Sequence, residues 1–280
     1  GVAGSGNASV YGGSSGDTSY LIDGLNTTDP VTGTFGTNFN YDAIQEVSIQ
    51  TSGFEAEFGQ ALGGVVNLVT KSGGNDFSGA LDIRYRDESF SESGDHYDPD
   101  VNISSRRDIS ATLGGPIMRD KVWFFVSGGQ RFTGPAPTGA PVTREFDGID
   151  WLAKITWQVT DAHRAVFKVS GDPAEIPNAN ASQFVSPEAG RQQDQGGSIY
   201  AAELNSVLSD SWLLSLQIGI NRSYLDSYPM SGDYDTPGWI NDDYVTPAGT
   251  LGSLSFVNFT NAQFSNRDQD QYKGSASYFV

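Results

Sequence analysis

Residues 53–72 read GFEAEFGQALGGVVNLVTKS and contain a glycine pair followed by an apolar run. Two glycines, Gly63 and Gly64, come directly before a short apolar segment, residues 65–70, whose composition predicts a strand. A paired glycine at the start of a strand indicates either a positive φ or a close approach to another part of the backbone. Asn67 lies in the middle of the predicted strand and needs a hydrogen-bond partner if it is buried.

Two further motifs precede this stretch, at residues 20–24 and 42–49. The first is Tyr-Leu-Ile-Asp-Gly, in which residues up to Ile22 are predicted to form a strand and Asp-Gly follows it. Residues 41–45 are predicted to form a short helix with Asp42 near its N-terminus. Residues 46–51 alternate apolar and polar side chains and are predicted to form a strand. We expect this strand to pair with residues 65–70 in a small sheet.

The three motifs, in this order, resemble the end of the plug domain of TonB-dependent outer-membrane receptors. The family has a Gly-Gly-Val-Val-Asn-Ile-Val-Thr-Lys-like segment as the last plug strand before its barrel. The residues that carry the resemblance are Asp23, Gly24, Gly63, Gly64, Asn67 and Lys71. Residues 50–53 are Gln-Thr-Ser-Gly where many members have Arg-Gly-Pro, and with residues 54–58 this is similar to the Oar-like branch. That departure argues against a siderophore-type substrate.

Composition excludes several classes of protein. The chain has 280 residues, 37% of them hydrophobic and 12% aromatic, which is enough for a core in one or two domains. It has no Cys, so a disulfide framework and a thiolate metal site are excluded. The formal net charge of -18 argues against nucleic acid as a partner, because phosphate binding needs a basic face. We expect the chain to be a piece cut at both ends, with the TonB-contacting segment upstream of Gly1.

After residue 75 the pattern changes to repeated period-two alternation, which predicts half-buried strands. The predicted segments are about ten residues long, a length that crosses a bilayer when the strand is tilted. They are residues 77–86, 107–114, 121–131, 149–159, 164–170, 200–208, 212–221 and 272–280.

The connections between these segments alternate in length. Tight ones at 117–120, 160–162 and 209–211 alternate with long ones at 88–105, 132–148, 172–197 and 223–270. This alternation is typical of an outer-membrane barrel, with short periplasmic turns and long outer loops. A soluble β-sandwich explains any single strand, but it gives no reason for short and long connections to alternate.

The sequence therefore predicts a mainly β protein. Residues 1–74 form the C-terminal portion of a small α+β plug domain, and residues 75–280 form the first part of a transmembrane antiparallel β-barrel. An eight-stranded barrel has room only for its own side chains, so the plug cannot fit inside one. We expect about eight strands in an open sheet with the plug against its polar face, and the resemblance implies about 22 strands in the intact barrel.

Three groups of side chains are candidate interaction residues. Five aromatics on apolar faces near predicted strand ends are expected to form a girdle at the lipid interface, with ordinary core packing as the alternative: Tyr85, Trp151, Trp157, Tyr200 and Trp212. Five cationic side chains are expected to face the lumen, either paired with carboxylates of the plug or solvated: Arg84, Arg86, Lys154, Arg164 and Lys168. Carboxylates of the long loops are candidate ligand-binding residues: Glu88, Glu92, Asp95, Asp98, Asp100, Asp233, Asp235, Asp242 and Asp243.

The loop carboxylates lack the Gly and the distal bidentate Glu of an EF-hand. Two interpretations of them remain, a solvated acidic loop and a Ca²⁺ site. A Gly-x-Ser-x-Gly match at residues 12–16 lacks the flanking strand and helix of a nucleophile elbow. We therefore expect no enzyme activity and no cofactor.

The resemblance implies a transporter of the Gram-negative outer membrane that works with TonB and contacts lipid, with an unknown ligand. The alternative is a surface adhesion or secretion-related barrel that binds a protein or polysaccharide through its acidic loops.

Overall fold

The structure is a computed structural model that describes residues 15–51, 63–87, 103–135, 137 and 139–279. Its regular structure in these residues is almost entirely strand. The strands are β1 (Thr18–Ile22), β2 (Leu25–Asn26), β3 (Ile44–Gln50), β4 (Gly64–Thr70), β5 (Ser78–Asp87), β6 (Ile103–Met118), β7 (Val122–Pro135), β8 (Phe146–Thr160), β9 (His163–Gly171), β10 (Ala174–Ile176), β11 (Arg191–Ser209), β12 (Trp212–Pro229), β13 (Trp239–Val245), β14 (Leu251–Phe256), β15 (Gln263–Asn266) and β16 (Gln269–Tyr278).

The first four strands form a small sheet in the order β2-β1-β4-β3. Strand β4 runs parallel to β1 and antiparallel to β3, so it lies at the centre with neighbours on both sides. The pairs Ser48–Asn67 and Ile49–Val66 confirm the predicted pairing of residues 46–51 with residues 65–70. The helical element is shorter than predicted: it is one 3₁₀ turn, Tyr41–Ala43, and its N-cap is Asn40, whose side chain accepts from the Asp42 amide.

The later strands form a large antiparallel sheet. Its ten segments occupy eight positions, because β9 and β10 share one position beside β8 and β11, and β15 and β16 share another beside β12. The predicted count of about eight strands is confirmed. The strands are longer than predicted, however: β6, β7, β8, β11 and β12 span 14 to 19 residues. Their apolar segments continue as polar hairpin arms, which period-two hydrophobicity does not reveal.

The large sheet is open in the described part of the chain. Strand β5 pairs there with β6 alone, and β16 pairs with β12 alone. The predicted unpaired edges are therefore confirmed within those residues. The tight connections are also as predicted, since Met118 pairs with Val122, Thr160 with His163 and Ser209 with Trp212.

Two long connections fold against each other at the opposite rim from the tight turns. The strands β13 and β14 form a hairpin between β12 and β15. The amide of Ser255 in that hairpin donates to the Phe184 carbonyl at 2.8 Å, and the Ser186 amide donates to the Ser255 carbonyl at 2.9 Å. The connections after β10 and after β12 thus form one structured surface.

A compact apolar cluster joins the two sheets. Ile22, Phe39 and Ala43 from the small sheet and its connections pack with Phe125 of β7 and Leu152 of β8. All five side chains are buried. On β12, a Cβ at Gly219 would lie 2.6 Å from Leu25 Cδ2, so the small sheet also approaches that strand closely. No helix among the residues the structure describes is long and apolar enough to span a membrane.

Candidate functional site: the interface between the two sheets

The interface is organised around the turn Asp23-Gly24. Both residues have positive φ, 50° and 77°, and they connect β1 to β2 directly, with Ile22 opposite Leu25. A two-residue hairpin loop with two positive φ angles favours an Asp-Gly pair, because Gly adopts this conformation without steric cost and Asp tolerates it. The turn therefore follows from the sequence, and it aims the Asp23 side chain at the large sheet.

The Asp23 carboxylate bridges the two sheets. It accepts from the Thr70 amide and the Thr70 hydroxyl, both at 2.8 Å, and thereby ties the β1–β2 turn to β4. Its Oδ2 also accepts from Lys168 Nζ of β9 at 2.7 Å, and Lys154 Nζ of β8 lies 3.9 Å from its Oδ1. Lys154 is fixed further by hydrogen bonds to the Thr70 carbonyl at 3.2 Å and to the Thr70 hydroxyl at 2.9 Å.

These contacts set the protonation state of Asp23. Burial alone would raise the pKa of its carboxyl, but the positive charges of Lys168 and Lys154 and the hydrogen bonds from Lys168 and the Thr70 amide outweigh burial. The pKa of Asp23 is therefore held below its usual range. The carboxylate is charged at neutral pH, which is the form that the two lysines need.

The two lysines lie directly opposite each other on neighbouring strands of the large sheet. Like charges in directly opposed positions destabilise a sheet. Both side chains are almost fully buried, at 10% exposure for Lys154 and 3% for Lys168. A buried pair of this kind requires an anion nearby, and Asp23 of the small sheet supplies it.

The remaining motif residues hold the small sheet in shape. Asn67 Oδ1 accepts from the Gly24 amide at 3.1 Å, so the predicted need of this mid-strand side chain for a partner is confirmed. Lys71 Nζ donates to the Asp42 carbonyl at 2.7 Å. Gly63 and Gly64 are both buried, and Gly64, the first residue of β4, does not have a positive φ. Close packing, the other predicted reason for the glycine pair, stays a prediction.

A second attachment joins the β1–β2 turn region to β12 and β16. Gln217 Nε2 of β12 donates to the Asp23 carbonyl at 2.8 Å, and Lys273 Nζ donates to the Gly24 carbonyl at 2.7 Å. Gln271 bonds both the amide and the carbonyl of Asn26, at 2.9 and 2.6 Å.

Two further contacts come from the alternate residues before Gln271. Gln269 donates to the Thr28 carbonyl at 3.0 Å, and Arg267 forms a buried ion pair with Asp29. Alternate residues of β16, together with Arg267 just before that strand, thus follow residues 24–29.

A third attachment lies at the other end of the interface. The Ser110 hydroxyl of β6 donates to the Asp42 carboxylate, and Arg84 of β5 lies 4.0 Å from the same carboxylate. The Asn38 amide donates to Asp172 Oδ2, between β9 and β10, at 2.5 Å. The small sheet is therefore held from β5 to β16, across the width of the large one.

The predicted inward-facing cations fall into two groups. Lys154, Lys168 and Arg84 pair with carboxylates of the small sheet or its connections. Arg164 is exposed on the same face of β9 as Lys168. Within the described residues, no hydrogen bond or ion pair is found for Arg86 or Arg164.

A cavity of about 370 Å³ lies between the two sheets beside Asp23. Its walls come from β4 on one side and from β8, β9, β11 and β12 on the other. Its charged lining consists of Lys154, Arg164 and Lys168 against Asp23 and Glu203. Polar amides and hydroxyls of the wall include those of Asn67, Thr70, Asn205 and Gln217, and Val69, Val166 and Ala201 add apolar surface. The lining is therefore part polar and part apolar, and it carries one more positive than negative charge.

The five predicted girdle aromatics all lie on the face of the large sheet that points away from the small sheet. They are exposed by 37% to 56% of their surface: Tyr85, Trp151, Trp157, Tyr200 and Trp212. Trp157 and Trp212 are close to tight turns and Tyr85 is close to a strand end, as predicted. Trp151 and Tyr200 lie in the middle of β8 and β11, so their predicted position near strand ends is wrong. The cause is the unexpected length of those two strands.

The acidic loop residues do not converge on a metal-sized site in the part of the chain that the structure describes. Asp233 is used within its own loop, where it accepts from the amides of Asp235 and Thr236 and from the Thr236 hydroxyl. Asp242 and Asp243 are exposed on β13. Glu88, Glu92, Asp95, Asp98 and Asp100 lie outside the described residues, as does the Gly-x-Ser-x-Gly match at 12–16 apart from its last two residues.

Sequence reasoning missed several interface residues. Gln217, Gln271, Arg267 and Asp29 have no motif around them, and their roles depend on which strand faces the small sheet. A signal was present for the strand residues. Residues 267, 269, 271 and 273 are long polar or charged side chains at alternate positions, which marks a polar face that needs partners.

Comparisons with solved structures show the fold. The chain is similar to the siderophore receptor PirA of Acinetobacter baumannii, with a TM-score of 0.64 and 17% identity over 94% of this chain and 38% of that one. It is similar to the outer membrane transporter YddB of Escherichia coli, with a TM-score of 0.62 and 16% identity over 96% of this chain and 38% of that one. The fold is a partial β-barrel with a small sheet packed against it, and it is similar to part of each of these two proteins.

The sequence comparison confirms the resemblance to TonB-dependent receptors and to their Oar-like branch. The chain is 28% identical over 219 residues to the TonB-dependent transporter Oar of Myxococcus xanthus. That alignment covers 65% of this chain and 20% of the relative, so the chain spans a small part of the relative's length. No protein-family model matches the chain.

Proposed function

We propose that this chain is part of a TonB-dependent transporter of the Gram-negative outer membrane. In this proposal residues 1–74 are the C-terminal portion of the plug, and residues 75–280 are the first strands of a larger barrel. The plug blocks the barrel at rest and moves to let a ligand pass. No chemistry is done on the ligand, and energy is delivered by TonB through a segment upstream of this chain.

The observation that carries the proposal is the polar character of the interface between the sheets. Asp23, Asn26, Asp29 and Asp42 meet polar or charged partners on the large sheet. Hydrogen bonds and ion pairs of this kind contribute little net free energy, because water satisfies the same groups when they separate. The apolar cluster around Phe125 and Leu152 is small, so a plug held otherwise by polar contacts can be displaced and can return without exposing a large apolar core.

The outward face of the large sheet supports the membrane location. Leu81, Ile83, Ile155, Leu216 and Ile218 are all exposed on it, each by more than 40% of its surface. An apolar face of this extent is unfavourable in water and favourable against lipid tails. The aromatic residues on the same face are suited to the membrane–water boundary.

The test is a reversible covalent attachment of the small sheet to the large one. The chain has no Cys, so a double variant Asp42→Cys and Ser110→Cys introduces the only thiols within it. The two native side chains are already in contact. A strain lacking the protein is first grown on a panel of defined nutrients to find one whose use depends on it. Growth of the complemented strain on that nutrient is then compared under oxidising and reducing conditions.

We expect the double variant to fail to grow when oxidised and to recover with a reductant, whereas Ser110→Cys alone grows in both. Normal growth with the disulfide fully formed would contradict plug movement. If no nutrient depends on the protein and deletion of the connections after β10 and β12 removes cell-surface binding of a protein or polysaccharide, the adhesion alternative takes its place.

A further inference from the structure

The cavity beside Asp23 combines a positive lining with a strongly negative chain. The chain carries 16 Lys and Arg against 34 Asp and Glu, yet three cations and two carboxylates line this one space. Lys154 and Lys168 form one wall, and Arg164 is four residues before Lys168 on the same face of β9. A concentration of positive charge in a negative protein is informative, because nothing in the overall composition favours it.

The two lysines are already shared by one anion. Asp23 lies 2.7 Å from Lys168 Nζ and 3.9 Å from Lys154 Nζ. Lys154 and Lys168 are directly opposite on their strands and repel each other, so they retain an attraction for a second anion. Asn67 on the facing wall adds a side-chain amide, whose oxygen accepts from Gly24 and whose NH2 group can donate to an anion.

Arg164 is the group that the small sheet leaves unused. It is exposed, it lines the cavity, and in the described chain no partner is found for its guanidinium. Its strand partners are Gln158 on β8 and Asn205 on β11, which are neutral. A guanidinium in this setting has five donors available to a carboxylate or phosphate group.

We propose that this cavity binds a small oxyanion, carrying carboxylate or phosphate groups, between Arg164 and the Lys154–Lys168 pair. The volume of about 370 Å³ falls within the range of small-molecule sites. Asp23 and the oxyanion compete for the same two lysines, and Glu203 on the cavity wall opposes the anion. Binding at this site therefore weakens the attachment of Asp23 and loosens the β1–β2 turn. The site is independent of any ligand taken from outside and does not require that transport occur.

The test uses the full-length protein in detergent and inorganic pyrophosphate as the probe, followed by titration calorimetry. We expect saturable binding that weakens as salt rises. Arg164→Gln should weaken it about tenfold, the loss expected for one charge-assisted contact. The matched control is Arg119→Gln, which removes an exposed arginine in a tight turn outside the cavity and should leave binding unchanged.

A second variant guards against simple loss of folding. Glu203→Gln removes a negative charge from the wall and should tighten pyrophosphate binding several-fold, a gain that damage to the fold does not produce. A repeat titration with citrate distinguishes carboxylate from phosphate chemistry, and binding of either one supports the site. Absence of saturable binding of both probes, or equal affinities for Arg164→Gln and Arg119→Gln, overturns the proposal.

Discussion

Lys154 and Lys168 face each other across two neighbouring strands of the large sheet, and a carboxylate from the small sheet lies between them. Without Asp23 this arrangement would bury two like charges side by side. The large sheet is therefore built to receive the small one at this point, and the attachment is electrostatic.

Replacing Asp23 with Asn should weaken the docking of the small sheet. The change removes one partner of a buried ion pair and leaves the two lysines uncompensated, which costs about 3–5 kcal/mol in fully buried cases. Asp23 retains 15% exposure, so we expect the lower end of that range. Amide hydrogen exchange over residues 64–70 measures it, and Glu46→Gln, an exposed carboxyl on β3, is the matched control. Equal protection in both variants would show that Asp23 does not hold the sheet.

The stability of the docked state should depend on pH through Asp23. Its pKa in the folded protein is below the unfolded value, so the carboxylate stabilises the docked state above the unfolded pKa of about 4. That contribution is lost as the pH falls through the lower, folded pKa. The difference in unfolding free energy between wild type and Asp23→Asn should therefore be constant near neutrality and shrink in acid. A difference that grows as the pH falls would contradict this assignment.

Alanine substitutions at two adjacent glycines after β4 should differ sharply in their effect on stability. A Cβ at Gly73 would lie 2.1 Å from the Phe124 carbonyl oxygen, a backbone atom that cannot easily move. A Cβ at Gly74 has nothing within 4 Å. Gly73→Ala should thus disturb the link between the two sheets and lower the thermal midpoint, whereas Gly74→Ala should be neutral. Similar midpoints for the two variants would mean that Gly73 does not lie against the Phe124 carbonyl of β7.

Replacing Leu216 with Arg should destabilise the protein in lipid by about 2–4 kcal/mol if the residue lies near the membrane midplane. Leu216 is on the outward face of β12 and is 42% exposed. Ser215→Arg is the control, because the adjacent residue points to the other face. Equilibrium unfolding from lipid vesicles gives both costs. A negligible cost at Leu216 with a large one at Ser215 would reverse the assignment of the two faces.

The sequence predicted those parts of the fold that depend on local chemistry and periodicity. The pairing of Val47 and Ile49 with β4 and the count of strands follow from residue types at fixed spacing, whereas the Asp23-Gly24 turn was implied by the family resemblance. Inward-facing lysines were also predictable, because alternation places Lys154 and Lys168 opposite an apolar face. The strand lengths were not, since polar arms carry no hydrophobic period.

The partners across the interface could not be read from the sequence. Asp23 and Lys168 are separated by 145 positions, and Asn26 and Gln271 by 245. Which side chains meet depends on strand order, on register and on the position of the small sheet along the strands of the large one. None of these leaves a local signal in the sequence. Gly63 and Gly64 show the converse limit, because the pattern marked both positions but did not indicate which of two physical reasons applies to each.

The proposed function requires that the small sheet blocks a barrel larger than these eight strands. Ion conductance of the full-length protein in a planar lipid bilayer tests it directly and needs no knowledge of the ligand. We predict little steady current for the intact protein and a large open pore after removal of all residues up to Gly74. Conductance that is the same with and without that segment would contradict the account.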